Sequence, residues 1–383
     1  MGRKFLVIDD SALMRRVISD IIKENSEYDV LDIACNGLEG LDMILKHPAY
    51  YDLILLDINM PKMSGLEMLE ELHRRRTKET VVVVSTVAKE GAKEAIRALE
   101  LGAVDFLTKP ENFLEVKGEG FKENLLELME MACSSDFDRN RLVELPDVRS
   151  DTIVRSDRSG QADNSKKSDF TLPVRDKSFS EPKPAKERCI GSKIVALACS
   201  TGGPKSLQQV IPFLPAELDA PVVLVQHMPK GFTASLAARL DAISPVRVHE
   251  AQNGELIEKG HVYIAPGGMH IKVEKSGSKY YIRYEDIPPI DGLKPCANIM
   301  YKSLISSDFD EITCVVLTGM GADGTAGIRE LKESGHNIHV IGQDKESCVV
   351  YGMPRALYEA GLADEVVPLN KITETIIKNV GVM

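Results

Sequence analysis

The chain has 383 residues, 43% of them hydrophobic and 27% charged, enough for two globular domains with cores of their own. Its formal net charge of −11 disfavours nucleic acid or an anionic membrane surface as the main partner. Seven cysteines, scattered without a C-x-x-C or Cys/His cluster, argue for reduced thiols in a cytoplasm and against a disulfide framework or structural zinc. No apolar run approaches about 18 residues and the start is too short for a signal peptide, so no membrane insertion is expected.

Residues 1–133 hold 17 basic and 25 acidic side chains and alternate strand and helix five times. Apolar runs at Phe5–Ile8, Val30–Ala34, Leu53–Leu56, Val81–Val84 and Val104–Leu107 are the strands. Between the first two, Leu13, Val17, Ile18, Ile21 and Ile22 recur at helical spacing, with Ser11 placed as the N-cap. Five βα units predict an α/β domain with a five-stranded, doubly wound, flavodoxin-like parallel sheet. Chemistry gathers at its strand ends. Asp9 and Asp10 end the first strand and Asp57 the third, and three carboxylates at one sheet edge repel unless a hard cation such as Mg²⁺ lies among them. Ser85 or Thr86 closes the fourth strand and Lys109 precedes Pro110 after the fifth, a hydroxyl and an ammonium suited to holding a phosphate placed on Asp57.

Residues 134–188 change character. With 12 basic and 11 acidic residues, many Ser and Pro and few large apolar groups, they read as a flexible linker that cannot bury enough surface to offset its ordering entropy.

Residues 189–383 return to alternating strand and helix, predicting a second doubly wound α/β domain, here around a β-hairpin. Met269–Glu274 and Tyr280–Tyr284 are its strands and Lys275–Ser278 the turn. Helices are predicted at Ser206–Leu214, Thr233–Ile243, Ala297–Ser306, Thr325–Ser334 and Lys371–Val380. Three apolar runs end in chemistry: Ile194–Cys199 before Ser200, Val222–Gln226 before His227, and Val315–Leu317 shortly before Asp323. Taken singly, each residue has a plain reading: a turn serine, a structural histidine, and an N-cap for the helix near Thr325. Together, at strand carboxyl ends where open α/β sheets bind ligands, they form the nucleophile, base and orienting acid of acyl transfer. Ala198-Cys199-Ser200-Thr201-Gly202 is close to the G-x-S-x-G elbow with its first glycine replaced, and the order Ser, His, Asp differs from that of α/β-hydrolases.

The N-terminal segment resembles a two-component receiver domain on Asp9-Asp10, Asp57 with Met60-Pro61 and Gly65, Ser85, Phe106 and Lys109-Pro110. The resemblance implies phosphorylation of Asp57 by a chemotaxis histidine kinase, with Mg²⁺ at Asp9, Asp10 and Asp57. It also implies a switch made of Ser85 or Thr86, Phe106 and Lys109. The C-terminal segment resembles the chemotaxis protein-glutamate methylesterase (CheB) family. The matching stretches are Ser200–Pro204, Gln226–Phe232, Tyr263–Gly268 and Leu317–Gly324. That resemblance implies hydrolysis of glutamyl methyl esters on chemoreceptors, often with deamidation of glutamines, by Ser200, His227 and Asp323 and without a cofactor for the ester chemistry. The expected mechanism has Nε2 of His227 as base, Asp323 fixing its tautomer, and backbone N–H groups of Thr201 and Met320 as oxyanion donors. The unphosphorylated receiver is expected to cover the Ser200 cleft in a monomeric, cytoplasmic protein. Two rivals stand against this reading. A transcriptional regulator would carry a small basic helix-turn-helix output, whereas residues 189–383 hold 18 basic against 22 acidic residues. A non-catalytic signalling scaffold with an esterase-like fold would not need the intact Ser/His/Asp set.

Overall fold

Long runs of Val, Ile and Leu become strands buried on both faces, and the central strands of both parallel sheets of the computed structural model are built this way. It describes residues 3–24, 28–85, 89–109, 119–133 and 193–383. The linker expected at 134–188 lies outside the described residues, as does Thr86. The N-terminal elements run β1 (Arg3–Ile8), α1 (Ala12–Lys23), β2 (Tyr28–Ala34), α2 (Gly37–Lys46), β3 (Leu53–Asp57), α3 (Gly65–Arg74), β4 (Val81–Ser85), α4 (Lys89–Glu100), β5 (Asp105–Thr108) and α5 (Glu119–Cys133). Their five strands pair in parallel in the order β2-β1-β3-β4-β5, the flavodoxin-like order the βα repeats predict. Ser11 caps α1 as expected, its hydroxyl accepting the Met14 N–H at 3.3 Å.

The C-terminal elements are β6 (Lys193–Cys199), α6 (Gly203–Val210), β7 (Val222–Gln226), α7 (Phe232–Ile243), β8 (Arg247–Glu250), β9 (His261–Ile264), β10 (His270–Ser276), β11 (Lys279–Glu285), α8 (Ala297–Ser303), β12 (Glu311–Val316), α9 (Thr325–Glu333), β13 (Ile338–Gln343), α10 (Met353–Glu359), β14 (Glu365–Val367) and α11 (Leu369–Val380). Seven of the strands form a parallel sheet in the order β14-β13-β12-β6-β7-β9-β8, and β10 and β11 form a separate antiparallel pair. The chain leaves β6 first toward β7 and later returns to lay β12 on its other side, so a topological switch point opens between β6 and β12.

Several boundaries differ from the sequence reading for local reasons. The hairpin is tighter than expected: Ser276 pairs with Lys279, leaving Gly277-Ser278 as the turn, with Gly277 at φ +62°. Helix α6 starts three residues earlier than predicted because Gly203-Pro204 supplies its first turn, and it tightens into a 3₁₀ turn at Ile211–Phe213. Helix α10 was not anticipated; at seven residues it offers too few turns to show a period. Among the described residues no helix is long and apolar enough to cross a membrane.

Both sheets belong to one compact unit, and the face formed by α4, β5 and α5 lies on the C-terminal layer. Phe106 stacks on Phe232 with ring centroids 4.4 Å apart. The Arg239 guanidinium pairs with Glu100 at 2.5 Å. Val104 and Met131 form a small apolar cluster with Val349 and Val350, against which Leu128 and Met320 pack.

Candidate functional site

The β6–β7 ladder ends with Cys199 opposite Gln226, so the next residues, Ser200 and His227, leave adjacent strands side by side. Ser200 N–H donates to Thr318 O at 3.0 Å, which ties the serine to the chain leaving β12. Gly319 permits that approach: a Cβ there would stand 2.8 Å from the Ser200 Cβ and 2.4 Å from the Met353 sulfur. Gly202 completes the elbow at φ +77°, where a side chain would also strike Val349. Ala198, by contrast, lies within β6 and points into the core, so glycine is not needed at that position.

Asp323 is brought against His227, whose Nε2 donates to Oδ2 at 2.8 Å. The structure corrects the expected ring orientation: with Nε2 engaged by the carboxylate, Nδ1 is left buried and without a hydrogen-bond partner. It also corrects the plain reading of Asp323. Gly324 is the N-cap of α9, while the Asp323 carboxylate reaches across to the first turn of α8. There Oδ2 also accepts Ala297 N–H at 2.6 Å, and Oδ1 accepts Asn298 N–H at 2.9 Å, Gly324 N–H at 2.9 Å and the Cys296 thiol at 3.2 Å. Burial alone would push this carboxyl up. The bond and charge of His227 and the backbone donors outweigh it and hold Asp323 below the usual aspartate range. Burial, helped by the Asp323 charge, pushes the Cys296 thiol up to about 12, so it stays protonated and donates.

Sequence reasoning missed this supporting layer. Cys296, Ala297 and Asn298 stand at the start of the predicted Ala297–Ser306 helix, which carries no sign of a distant partner, and the side chain of Asn298 accepts Gly324 and Gly327 N–H groups at 3.1 and 2.7 Å. Thr318 and Gln343 were missed too: Thr318 N–H donates to Gln343 Oε1 at 2.8 Å, and the Thr318 hydroxyl donates to Thr201 O at 3.1 Å. Neither the Thr201 nor the Met320 backbone N–H carries a hydrogen bond to a described residue, which leaves both able to donate to an oxyanion.

The second group sits at the carboxyl edge of the N-terminal sheet. Carboxylate oxygens of Asp9, Asp10 and Asp57 lie within 4.8 Å of one another. Lys109 Nζ stands 2.7 Å from Asp57 and 3.0 Å from Asp9. Burial pushes Asp57 up to about 6 against the pull of Lys109, and the Asp9 charge adds to the rise. Lys109 is held above its usual value, because its two ion pairs outweigh the cost of its own burial. Such a crowded donor set fits a hard divalent cation. The Ser85 hydroxyl donates to Gly91 O at 3.0 Å, the first turn of α4, and Phe106 is buried against Phe232. Beside the nucleophile the two halves are joined by a hydrogen bond: Thr201, next to Ser200, donates its hydroxyl to Asp105 Oδ2 at 2.6 Å. Burial pushes Asp105 up to about 6, and the Thr201 bond only partly opposes this.

A parallel sheet with Ser, His and Asp at its carboxyl edge, packed on a receiver-like sheet with an acidic pocket, is the architecture of a response-regulated hydrolase. A response regulator receiver domain model matches residues 5–118 and a CheB methylesterase model matches residues 195–376. A protein-glutamate methylesterase/protein-glutamine glutaminase 1 of Syntrophomonas wolfei is 37% identical over 379 residues, 98% of each chain. The protein-glutamate methylesterase/protein-glutamine glutaminase of Bacillus subtilis is 39% identical over 374 residues, 97% of each chain. Among solved structures, the Thermotoga maritima CheB methylesterase catalytic domain is 44% identical and covers 49% of this chain and 97% of that one, with a TM-score of 0.47. The chain belongs to the CheB methylesterase family of response regulators.

Proposed function

We propose that the chain hydrolyses glutamyl γ-methyl esters, and deamidates glutamines, on chemoreceptors in chemotaxis adaptation, under control of phosphorylation at Asp57. In this reading residues 1–133 are the receiver, 134–188 a linker and 189–383 the catalytic domain of a monomeric cytoplasmic enzyme. The observation that carries it is the His227–Asp323 contact of 2.8 Å at the strand edge from which Ser200 emerges.

Ser200 Oγ attacks the γ-carbonyl carbon as His227 Nδ1, the ring nitrogen left free, takes the hydroxyl proton. Asp323 holds Nε2–H and stabilises the imidazolium. Thr201 and Met320 N–H groups face the developing oxyanion, and one such donor is typically worth about 3–4 kcal/mol. The proton passes to the departing methanol, or ammonia from glutamine. Water, deprotonated by the same Nδ1, then cleaves the acyl-serine to give glutamate. At the other end, Asp57 takes a phosphoryl group from a histidine kinase, Lys109 pairs with the new charge, and Ser85 leaves Gly91 to reach it. Asp9, Asp10 and Asp57 would hold Mg²⁺, which when bound offsets charge on the phosphoryl oxygens. The α4–β5–α5 face rests beside Ser200 until phosphorylation favours its release.

The test is methanol release from a methylated receptor fragment by the full chain, with acetyl phosphate and Mg²⁺ as phosphodonor mixture. Ser200→Ala is expected to abolish release with the fold intact; release by that variant at the wild-type rate refutes the assignment.

A further inference from the structure

Beyond the Ser/His/Asp set, we propose that Gln226 is a positioning residue for Ser200 and His227, an inference that rests on the esterase reading above. Its carboxamide is buried, with the residue 1% exposed, and both of its N–H donors and its oxygen are engaged between the two catalytic segments. Nε2 donates one hydrogen to Ser200 O at 3.0 Å and the other to His227 O at 3.1 Å, while Oε1 accepts the Cys199 thiol at 3.0 Å. One planar group therefore ties the carbonyl of the nucleophile to the carbonyl of the base.

The position explains why such a tie is needed. Cys199 and Gln226 are the last paired residues of the β6–β7 ladder, so strand pairing ends one step before the reactive side chains. Beyond that step, one backbone bond, His227 N–H to Cys199 O at 3.1 Å, joins the two segments; the carboxamide adds its bonds to Ser200 O and from the Cys199 thiol, and steadies His227 O within its own segment. Gly203 at the start of α6 makes room for the amide, since a Cβ there would lie 2.1 Å from Oε1. A residue serving only to fill this space could be replaced by methionine, which has similar length and volume but no N–H. A positioning residue could not, since both carbonyls would lose their donor and the two peptide planes would drift. Misplacement of reacting groups by about 1 Å costs about 10²-fold in rate.

The experiment uses the full chain with acetyl phosphate and Mg²⁺, and a peptide carrying a glutamate γ-methyl ester as the probe. Wild type active and S200A inactive supports the esterase reading independently; a wild type no better than S200A overturns both proposals. For Gln226→Met, kcat per folded molecule is expected to fall about 10²-fold, with KM within twofold and cooperative unfolding retained. A kcat within threefold of wild type overturns the positioning role and leaves the S200A result standing. If Q226M does not fold, Gln226→Glu, which keeps the shape and an acceptor for Cys199 but as a buried acid can donate to at most one of the two carbonyls, is judged by the same criterion. Failure of both variants to fold assigns Gln226 to the fold and overturns the proposal.

Discussion

Replacing Asp323 by asparagine changes one atom, and the structure dictates where that atom goes. Oδ2 accepts from His227 Nε2 and Ala297 N–H, whereas Oδ1 accepts from Asn298 N–H, Gly324 N–H and the Cys296 thiol. An amide nitrogen placed at Oδ1 faces three donors; placed at Oδ2 it faces two, one of them an imidazole that can change tautomer. The amide therefore settles with its nitrogen toward His227, whose Nε2 must now accept and whose proton moves to Nδ1. In the proposed mechanism Nδ1 is then unable to take the Ser200 proton. Loss of the tautomer in a triad of this kind lowers kcat by about 10⁴, equivalent to about 5.5 kcal/mol. Stability falls by about 1–3 kcal/mol, because the Ala297 N–H loses its acceptor. Methanol-release kinetics give kcat and KM, and ¹⁵N shifts of the His227 ring report the tautomer. D323N retaining kcat within tenfold of wild type, or keeping the Nε2–H form, refutes the reasoning.

Gly319→Ala is expected to destabilise the chain by about 1–3 kcal/mol through overpacking and to impair turnover, since the new methyl meets the Met353 sulfur and Ser200 Cβ; urea unfolding with parallel kinetics checks both. Asp57→Asn, or chelation of Mg²⁺ in the wild type, is expected to remove the rise in esterase rate on adding acetyl phosphate while leaving the resting rate unchanged, which a plus-and-minus phosphodonor assay reads directly. Asp105 titrates near 6 in the folded chain against an ordinary 3.8, so the folded state binds its proton more tightly. Its contribution to stability is full below about 4 and is lost as pH rises through about 6; the Tm difference between wild type and Asp105→Asn is expected to change across that window, and a constant difference contradicts it.

Strand runs such as Val81–Val84 and Val222–Val225 were legible because a strand buried on both faces must be apolar throughout. Their ends were legible because a Ser, His or Asp that interrupts such a run stands where a sheet exposes its carboxyl edge. The neighbours of Asp323 were not. Cys296 and Asn298 reach it across 27 and 25 residues, and nothing in a stretch such as Lys294–Asn298 marks a hydrogen bond to a distant carboxylate. Ring orientation was equally hidden, since which imidazole nitrogen carries the proton is set by the partner placed beside the other. Asp105 falls inside the predicted Val104–Leu107 strand with nothing to single it out, and its partner Thr201 lies on the other half of the chain.

In the proposed reading, that last contact is part of what restrains the site at rest. Thr201 and Met320, the proposed oxyanion donors, are both touched by the N-terminal layer: Thr201 by Asp105, and Met320 by the apolar cluster around Val104 and Met131. Swinging a closed population of about 99% to an open one of about 99% takes about 5.5 kcal/mol of differential stabilisation. A hydrogen bond to a charged group contributes about 1.5–3 kcal/mol and an aromatic stack about 0.5–1.5 kcal/mol, so the Asp105–Thr201 bond and the Phe106–Phe232 stack together approach that figure. Asp105 and Phe106 are consecutive residues at the start of β5, the strand whose far end leads to Lys109 and its ion pair with Asp57. In the proposed reading, a shift of this one strand on phosphorylation would loosen both contacts at once and release the backbone beside Ser200.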